Sequence, residues 1–273
     1  MTPQQLYELW ERQPWSAHAI DFAHDREDWA AMSPDARDDA AWSLASFFVG
    51  EERVTTQFSG LVMAYESQGE EAFLVTQQVD EARHAQHFDR FYAQVVGQDG
   101  TFEARLEQAR ACVGRPFRQL FDEELVEAGR RLVADPGDPE AKVDFVVLYH
   151  MVIEGTLALT GQHFITRSFE ERAILPGFTE GFRNVSRDEH RHVAYGTWFL
   201  RQKAADPGLR RRMGERLLEL LPIAALVLVP PGADPASWSL MGFGSEEING
   251  FAFTALDRRL KIIGIDLGSL APA

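Results

Sequence analysis

The chain has 273 residues, 45% of them hydrophobic, and a formal net charge of −15. This length allows one large domain or two modest ones, with enough apolar residues for a substantial core. The acidic charge excludes a nucleic-acid surface, which needs clustered Lys and Arg. The single cysteine, Cys112, excludes an intramolecular disulfide and favours a cytoplasmic location. The longest apolar run, residues 220–231, is too short to span a membrane, and no secretory signal is predicted.

Hydrophobic spacing predicts an all-α fold. Residues 1–33 are rich in Trp, Pro and His, and we expect an irregular lead-in with one short helix at 3–12. Seven longer helical segments follow in chain order, at 34–67, 69–97, 117–134, 139–168, 177–203, 208–228 and 245–262. Residues 205–273 therefore supply extra C-terminal helices, and we expect the tail at 264–273 to fray.

The chain contains one internal repeat, a motif of the form D-E-x-R-H. It occurs at Asp80–His84 and again at Asp188–His192. A Glu and a His three residues apart project from one face of a helix. Each copy therefore supplies half of a metal site. No solenoid period is present, so we predict a single domain over residues 1–273.

A third carboxylate ligand comes from the helix predicted at 34–67, where Glu51 and Glu52 compete. Apolar residues surround Glu51 at offsets −4, −3, +3 and +7, whereas two of the same offsets from Glu52 carry Thr55 and Ser59. Glu51 therefore lies on the more apolar stripe, where an unpaired carboxylate is costly. We predict Glu51 as the ligand, and the alternative is an ion pair with an arginine at the helix edge.

The fourth carboxylate is Glu154. The helix predicted at 139–168 is apolar on nearly all sides, which indicates a buried helix. A buried acid needs a partner, so Glu154 is either a metal ligand or half of a buried ion pair.

Together these residues predict a dinuclear site within a ferritin-like bundle of four ligand helices plus additional helices. Four carboxylates and two imidazoles suit two divalent first-row ions such as Fe or Mn better than zinc. The predicted ligands are Glu51, Glu81, His84, Glu154, Glu189 and His192.

The same motifs contain candidate supporting residues for the ligands. A ligating His normally donates its second ring N–H to a carboxylate. We predict that Asp188 supports His84 and that Asp80 supports His192, with Arg83 and Arg191 paired to these aspartates. The alternative is two ordinary Asp–Arg pairs on the helix surface.

Five segments resemble the ligand-binding oxidases related to the ribonucleotide reductase small subunit, namely residues 50–54, 80–84, 149–161, 171–177 and 188–192. The likeness covers roughly residues 20–200. It implies a heterodinuclear Mn/Fe cofactor, with Fe/Fe as an alternative. The first three ligands in the chain would hold Mn, and the last three would hold Fe.

The resemblance implies further features that spacing alone does not show. Val54 and Tyr149 match the two positions that these oxidases join in an ether cross-link. The family also binds a long-chain fatty acid or a similar apolar carboxylate at the metals and uses dioxygen, and we expect a homodimer.

Other functions remain open from the sequence. A ribonucleotide reductase small subunit would generate a radical for a larger partner, and many carry a Tyr four residues after the first ligand His. Phe88 occupies that position here, and the C-terminal sequence has no Tyr. A diiron oxygenase, an iron-handling ferritin-like protein and a purely structural bundle are the remaining alternatives.

Overall fold

A computed structural model describes residues 1–269 of the chain. Over this range the chain folds into helices and one short hairpin, which confirms the all-α prediction. The first eight helices are α1 (Pro3–Glu11), α2 (Ala23–Ala31), α3 (Pro34–Gln57), α4 (Ser59–Met63), α5 (Gln68–Phe91), α6 (Phe102–Cys112), α7 (Arg115–Arg118) and α8 (Leu125–Ala134). The others are α9 (Pro139–Val146), α10 (Leu159–Arg172), α11 (Pro176–Lys203), α12 (Pro207–Val227) and α13 (Ser245–Ile263).

Shorter elements connect or extend these helices. Single 3₁₀ turns lie at Ala17–Ala19 and Leu267–Ser269, and strands β1 (Ser239–Leu240) and β2 (Phe243–Gly244) form an antiparallel hairpin. Three segments are π-helical, namely Tyr92–Val96, Gln119–Glu124 and Val147–Ala158. The third, called the π segment below, joins α9 to α10 and therefore makes one continuous helix.

Local sequence signals start the ligand helices. Ser33 precedes α3, and its Oγ accepts a hydrogen bond from Ala36 N at 3.3 Å, while a proline occupies the first helical position. Asp138 precedes α9 in the same way and accepts a bond from Glu140 N at 2.9 Å. Such caps satisfy backbone donors that a helix start would leave unpaired.

The start of α11 is capped by a distant residue. Leu175, just before it, has a φ of 52°, in the left-handed region, so the chain turns sharply there. Asp25 in α2 then accepts hydrogen bonds from Gly177 N at 2.8 Å and Phe178 N at 2.6 Å. The lead-in therefore secures the helix that carries the second D-E-x-R-H motif.

The four ligand helices form the centre of the molecule. Helix α3 packs against α5, and α11 packs against α5, α10 and the π segment, while α12 and α13 cover the π segment from outside. The continuous helix Pro139–Arg172 is long and apolar enough to cross a membrane, but 89% of its most apolar window is buried inside the protein. This is the burial expected of a core helix.

The structure differs from the sequence prediction in several places. The lead-in contains two helices because it packs against α5 and α11. The helix predicted at 34–67 is interrupted at Phe58, two residues before Gly60, where a Cβ would lie 2.8 Å from the Gly129 carbonyl oxygen of α8. Helix α6 was missed because its apolar positions are few. Of the predicted frayed tail, residues 270–273 lie outside the described range.

Candidate metal centre

The structure brings all six predicted ligand residues together in the core. Their metal-binding atoms form two groups, and within each group the atoms lie within 4.8 Å of one another. The first group is Glu51, Glu81, His84 and Glu189, and the second is Glu81, Glu154, Glu189 and His192. Glu81 and Glu189 belong to both groups. They are therefore placed to bridge two ions, which the sequence spacing did not indicate.

Each imidazole presents its Nδ1 atom to the carboxylates. His84 Nδ1 lies 3.3 Å from Glu51 Oε2 and 3.6 Å from Glu189 Oε1. His192 Nδ1 lies 3.0 Å from Glu81 Oε1 and 3.1 Å from Glu154 Oε1. The two copies of the sequence motif therefore have matching arrangements in space, with each Nδ1 atom facing the carboxylates.

Local helix geometry explains this placement. Glu81 with His84, and Glu189 with His192, are three residues apart on regular α-helix and so share a face. Glu154 instead lies within the π segment. Segments of π-helix frequently occur at functional sites because they reorient side chains within a helix. Nothing in the apolar pattern of residues 147–158 distinguishes them from an ordinary buried α-helix.

The charges in this cluster need cations. Burial raises the pKa of Glu51 and Glu154 well above the ordinary value, and neighbouring carboxylates add to the effect. Burial opposes protonation of His84 and His192, but nearby carboxylates nevertheless raise the pKa of both imidazoles. Within residues 1–269, Glu154 Oε2 and Glu189 Oε2 are buried and have no hydrogen-bond donor. The donor set fits two divalent ions, which would partner these oxygens and neutralise the carboxylates.

The Asp and Arg residues of the two motifs pair crosswise. His84 Nε2 lies 3.3 Å from Asp188 Oδ2, and His192 Nε2 lies 3.3 Å from Asp80 Oδ2. Arg191 lies 3.0 Å from Asp80 and 2.5 Å from Asp188. Each aspartate therefore holds the imidazole of the opposite motif in the orientation that leaves Nδ1 facing the carboxylates.

Arg83 also contacts both aspartates, and we call Asp80, Asp188, Arg83 and Arg191 together the outer ring. Its Nη1 lies 3.0 Å from Asp80 Oδ1 and 3.5 Å from Asp188 Oδ2. Burial opposes ionisation of Asp188, but its contacts with His84 and Arg191 nevertheless hold its pKa well below the ordinary value. Asp188 is therefore ionised in the folded protein.

Two tryptophans of the lead-in contact the aspartates of the outer ring, and neither contact was predicted from the sequence. Trp10 Nε1 donates to Asp80 Oδ1 at 2.9 Å, and Trp15 Nε1 donates to Asp188 Oδ2 at 2.6 Å. Each aspartate thus has one His, one Trp and the arginines as partners. The high Trp content of residues 1–33 was the only available signal, and it does not say which acids the indoles contact.

The competing glutamate of α3 points elsewhere. Glu52 Oε2 accepts a hydrogen bond from Arg110 Nη2 of α6 at 2.6 Å. It is absent from both ligand groups of the described residues. The ion-pair alternative considered for Glu51 therefore describes its neighbour.

Tyr149 lies beside the carboxylates. Its hydroxyl donates to Glu81 Oε1 at 2.5 Å. Gln77, another residue that the sequence analysis missed, places its Nε2 atom 3.3 Å from both Tyr149 Oη and Glu154 Oε1. Burial raises the pKa of Tyr149 well above the ordinary value, with a further contribution from Glu154. Tyr149 is therefore a neutral phenol that donates its hydrogen bond to a ligand carboxylate.

Val54 lines a cavity of about 70 Å³ at the centre. The inner end of this cavity is formed by the carboxylates of Glu51, Glu81, Glu154 and Glu189. Apolar side chains from α3, α7, α12 and the π segments form most of the rest, and they include Phe47, Val54, Phe117, Phe121, Ile153 and Leu157. The cavity therefore joins an apolar space directly to the candidate metal ligands.

Comparison with known proteins places this centre in a family. The family model described as "Ribonucleotide reductase, small chain" matches residues 2–266. A variant of an R2-like ligand-binding oxidase, solved with an anaerobically reconstituted Mn/Fe cofactor, is 25% identical, with 95% of this chain and 92% of that chain covered and a TM-score of 0.81. The R2-like ligand-binding oxidase from Sulfolobus acidocaldarius is similar in fold, with 23% identity, 99% and 94% coverage and a TM-score of 0.79.

The chain belongs to the ribonucleotide reductase small-chain family.

Membership in the small-chain family accounts for the helices around the centre. The match to an R2-like ligand-binding oxidase confirms the ferritin-like fold and the resemblance found in the sequence. That relative carries a Mn/Fe cofactor, and the cluster in this chain is able to bind two ions. The prediction of a Mn/Fe cofactor is therefore confirmed by the cofactor of the relative and by the presence of a suitable cluster in this chain.

One position of this chain differs from that of the radical-forming small subunits, which carry a Tyr four residues after the first ligand His. Phe88 is fully buried and contacts the rings of Phe47, Phe178 and Phe182 at centroid distances of 5.9, 5.9 and 5.8 Å. No hydroxyl is present at this position, so it cannot supply a tyrosyl radical.

Proposed function

We propose that the chain is a dioxygen-dependent Mn/Fe oxidase that binds an apolar carboxylic acid, such as a long-chain fatty acid, at its metal centre. The observation that carries this proposal is the apolar cavity that ends at four ligand carboxylates. Its walls are apolar, as a hydrocarbon tail requires, and bound cations would offset the charge of a carboxylate head there. When bound, the two ions would supply the redox chemistry that activates dioxygen.

The protein's own residues would hold the centre and exclude water. The Asp80 and Asp188 carboxylates orient His192 and His84 from outside the cluster. Phe117 and Phe121 stack at 4.1 Å and form part of the cavity wall. The cavity volume of about 70 Å³ is below the roughly 300–1,000 Å³ of common ligand pockets. Entry of a long-chain acid therefore requires these rings to move.

The cross-link between Val54 and Tyr149 is a second part of the proposal. The Val54 side chain would lose the hydrogen on Cβ, the Tyr149 hydroxyl would lose its proton, and one C–O bond would form. Dioxygen would take up the two electrons and the two protons that this oxidation releases. The 2.5 Å contact from the Tyr149 hydroxyl to Glu81 supports this role, because it gives the departing proton an acceptor.

Intact-mass analysis after aerobic assembly with Mn and Fe tests the cross-link. The wild-type chain should lose the mass of two hydrogens relative to anaerobically assembled protein. Val54→Ala and Tyr149→Phe should bind the metals without this loss. An unchanged mass in metal-loaded wild-type protein after exposure to dioxygen would rule the cross-link out.

Solvent extraction tests the bound acid. Mass spectrometry of an organic extract should identify a carboxylic acid in about stoichiometric amount with the metal centre. Ile153→Phe narrows the cavity, so this variant should retain less acid while keeping its metals. Extracts free of any acid from both proteins would remove the ligand from the proposal.

A ribonucleotide reductase small subunit is the second candidate, favoured by the family match over residues 2–266. Buried Phe88 speaks against it. Electron paramagnetic resonance of the aerobically assembled protein should show no tyrosyl radical, and a stable tyrosyl signal would favour this alternative. Homodimer formation and cytoplasmic location stay predictions.

A further inference from the structure

A large cleft lies on the other side of α11 from the metal centre. Its volume is about 930 Å³, and it is lined by α10, α11 and α13. His190, Thr197 and Arg201 line it from α11, and helical spacing puts them on the face opposite Glu189 and His192. No residue lines both this cleft and the cavity at the metal ligands. We call it the arginine cleft.

The arginine cleft concentrates positive charge in an acidic protein. Arg201, Arg258 and Arg259 all line it, although the chain has a net charge of −15. None of the three forms an ion pair with a carboxylate within residues 1–269. Glu247 is the one acid among the described lining residues, and Arg167 already pairs with it at 2.7 Å. The cleft therefore contains three arginines whose charge no carboxylate of the described lining residues neutralises.

Arg259 is the most constrained of these cations. Burial lowers the pKa of its guanidinium. Its Nη1 donates to Ala255 O of its own helix at 2.5 Å. The side chain packs closely on the π segment, where a Cβ at Gly155 would lie 3.3 Å from Arg259 Cδ. A partly buried cation without an anionic partner is unfavourable, so an anion in the cleft would be stabilised there.

Aromatic side chains from all three helices line the same cleft. The ring of His163 on α10 stacks on Phe251 of α13, with centroids 4.3 Å apart and an interplanar angle of 9°. Phe164 and Trp198 line the cleft from α10 and α11. Flat rings of this kind pack against planar apolar groups. The cleft therefore combines an anion-attracting charge with an aromatic surface.

We propose that the arginine cleft binds a small aromatic anion, with a phosphate or carboxylate group at the arginines and its ring against the aromatic side chains. The volume lies within the roughly 300–1,000 Å³ of small-molecule sites. Charge complementarity selects an anion, and guanidinium pairs bind both phosphate and carboxylate well. This site is independent of the proposed oxidase function, because it uses none of the residues of the metal centre.

Calorimetric titration of the metal-loaded protein with four probes tests the proposal. The probes are 1-naphthyl phosphate, 1-naphthoate, uncharged 1-naphthol and inorganic phosphate. At least one of the two aromatic anions should bind at least about tenfold more tightly than both 1-naphthol and inorganic phosphate. The tighter of the two identifies the preferred group. Equal binding of 1-naphthol, equal binding of inorganic phosphate, or no binding of either aromatic anion would overturn the proposal.

Substitution of Arg259, the partly buried cation, locates the binding. Arg259→Met keeps much of the side-chain stem, and it should weaken the preferred aromatic anion about tenfold or more. Arg26→Met, at an exposed arginine of α2, should leave the affinity unchanged and serves as the control. Naphthoate bound at the metal ligands would not respond to Arg259→Met. Unchanged affinity in this variant would therefore overturn the assignment to the cleft.

Thermal unfolding of the same variant excludes a purely structural role for Arg259. Because its cation has no anionic partner within the described residues, ligand-free Arg259→Met should unfold at a temperature no lower than wild type. The preferred aromatic anion should raise the Tm of wild-type protein and leave that of Arg259→Met unchanged. A lower Tm in the ligand-free variant would show that Arg259 supports the fold rather than a ligand, and would contradict the proposal.

Discussion

The two halves of the metal centre are alike on the outside and different on the inside. Outside, each ligand His contacts an Asp at 3.3 Å, and each Asp accepts a hydrogen bond from a lead-in Trp. Inside, Glu51 lies on regular α-helix, whereas Glu154 lies in the π segment beside Gln77 and Tyr149. The repeat therefore provides two similar ion positions, and the π segment makes their surroundings unequal.

The residues that would position the ions are therefore different from those that would take part in chemistry beside them. The outer ring is built from both D-E-x-R-H motifs together, so neither half is complete without the other. The apolar cavity and Tyr149 belong to the inner side, where the halves differ. Substitutions in the outer ring should thus affect both ions similarly, whereas substitution of Glu51 or Glu154 should affect one ion more than the other.

The largest expected effect comes from the carboxylates shared by the two groups. Glu81→Ala removes a ligand from both positions, so metal content should fall from about two ions per chain to well below one. Glu51→Ala and Glu154→Ala each affect a single group and should leave about one ion. Elemental analysis after reconstitution measures this, with Glu52→Ala as the control that keeps both ions. Equal losses in Glu81→Ala and Glu51→Ala would show that Glu81 does not bridge.

Metal removal should make stability depend on pH. In the metal-free protein, burial holds the pKa of Glu51 and Glu154 above 4.5, and nearby carboxylates raise the pKa of His84 and His192 above 6.5. Such groups bind more protons folded than unfolded, so metal-free stability falls as pH rises through these windows. The pKa of Glu81 is lowered instead, so Glu81 favours the folded state above its ordinary pKa and loses this contribution only as the pH falls below that value. The Tm gap between metal-loaded and metal-free protein should therefore widen between about pH 5 and 8. A gap that is constant with pH would contradict the account.

A smaller effect is expected from the aspartates. Asp80→Asn and Asp188→Asn remove the charge that supports each imidazole and keep the side-chain shape. Metal affinity should fall about 10- to 100-fold in each variant. Competition with a chelator measures the loss, and the two variants should agree within about threefold if the outer ring is symmetric. A loss confined to one variant would show that the halves differ outside as well.

The smallest effect is expected from the tryptophans. Trp10→Phe and Trp15→Phe each remove one hydrogen-bond donor from a buried aspartate. Each should lower the free energy of unfolding by about 1–3 kcal/mol, measured by chemical denaturation of the metal-loaded protein. Trp15 should cost more, because Arg83 also lies over its ring at 5.4 Å and a cation interacts more strongly with an indole than with a phenyl ring. The reverse order would mean that this additional contact contributes little.

Much of the centre could be predicted because its chemistry repeats locally. Two copies of one five-residue motif indicated four of the six residues that the structure brings together, and the apolar surroundings of Glu51 and Glu154 indicated the other two. Helical periodicity likewise predicted the bounds of α9 to α11 within a few residues. These features depend on neighbours within two helical turns, which a sequence displays directly.

The remaining features depend on contacts between distant residues. Trp15 and Asp188 are separated by 173 positions, and Gln77 meets Glu154 across 77. No local pattern specifies which distant residue an indole or an amide will contact. The π segment was also not predictable, because buried α- and π-helix share the same apolar composition. The place of Glu81 in both ligand groups depends on how the helices pack.

The most direct test of the central claim is a metal-resolved anomalous diffraction map of protein assembled aerobically with Mn and Fe. Two peaks are expected in the core, one between Glu51 and His84 and one between Glu154 and His192, with Glu81 and Glu189 near both. A single peak, or two peaks without a shared carboxylate, would contradict it.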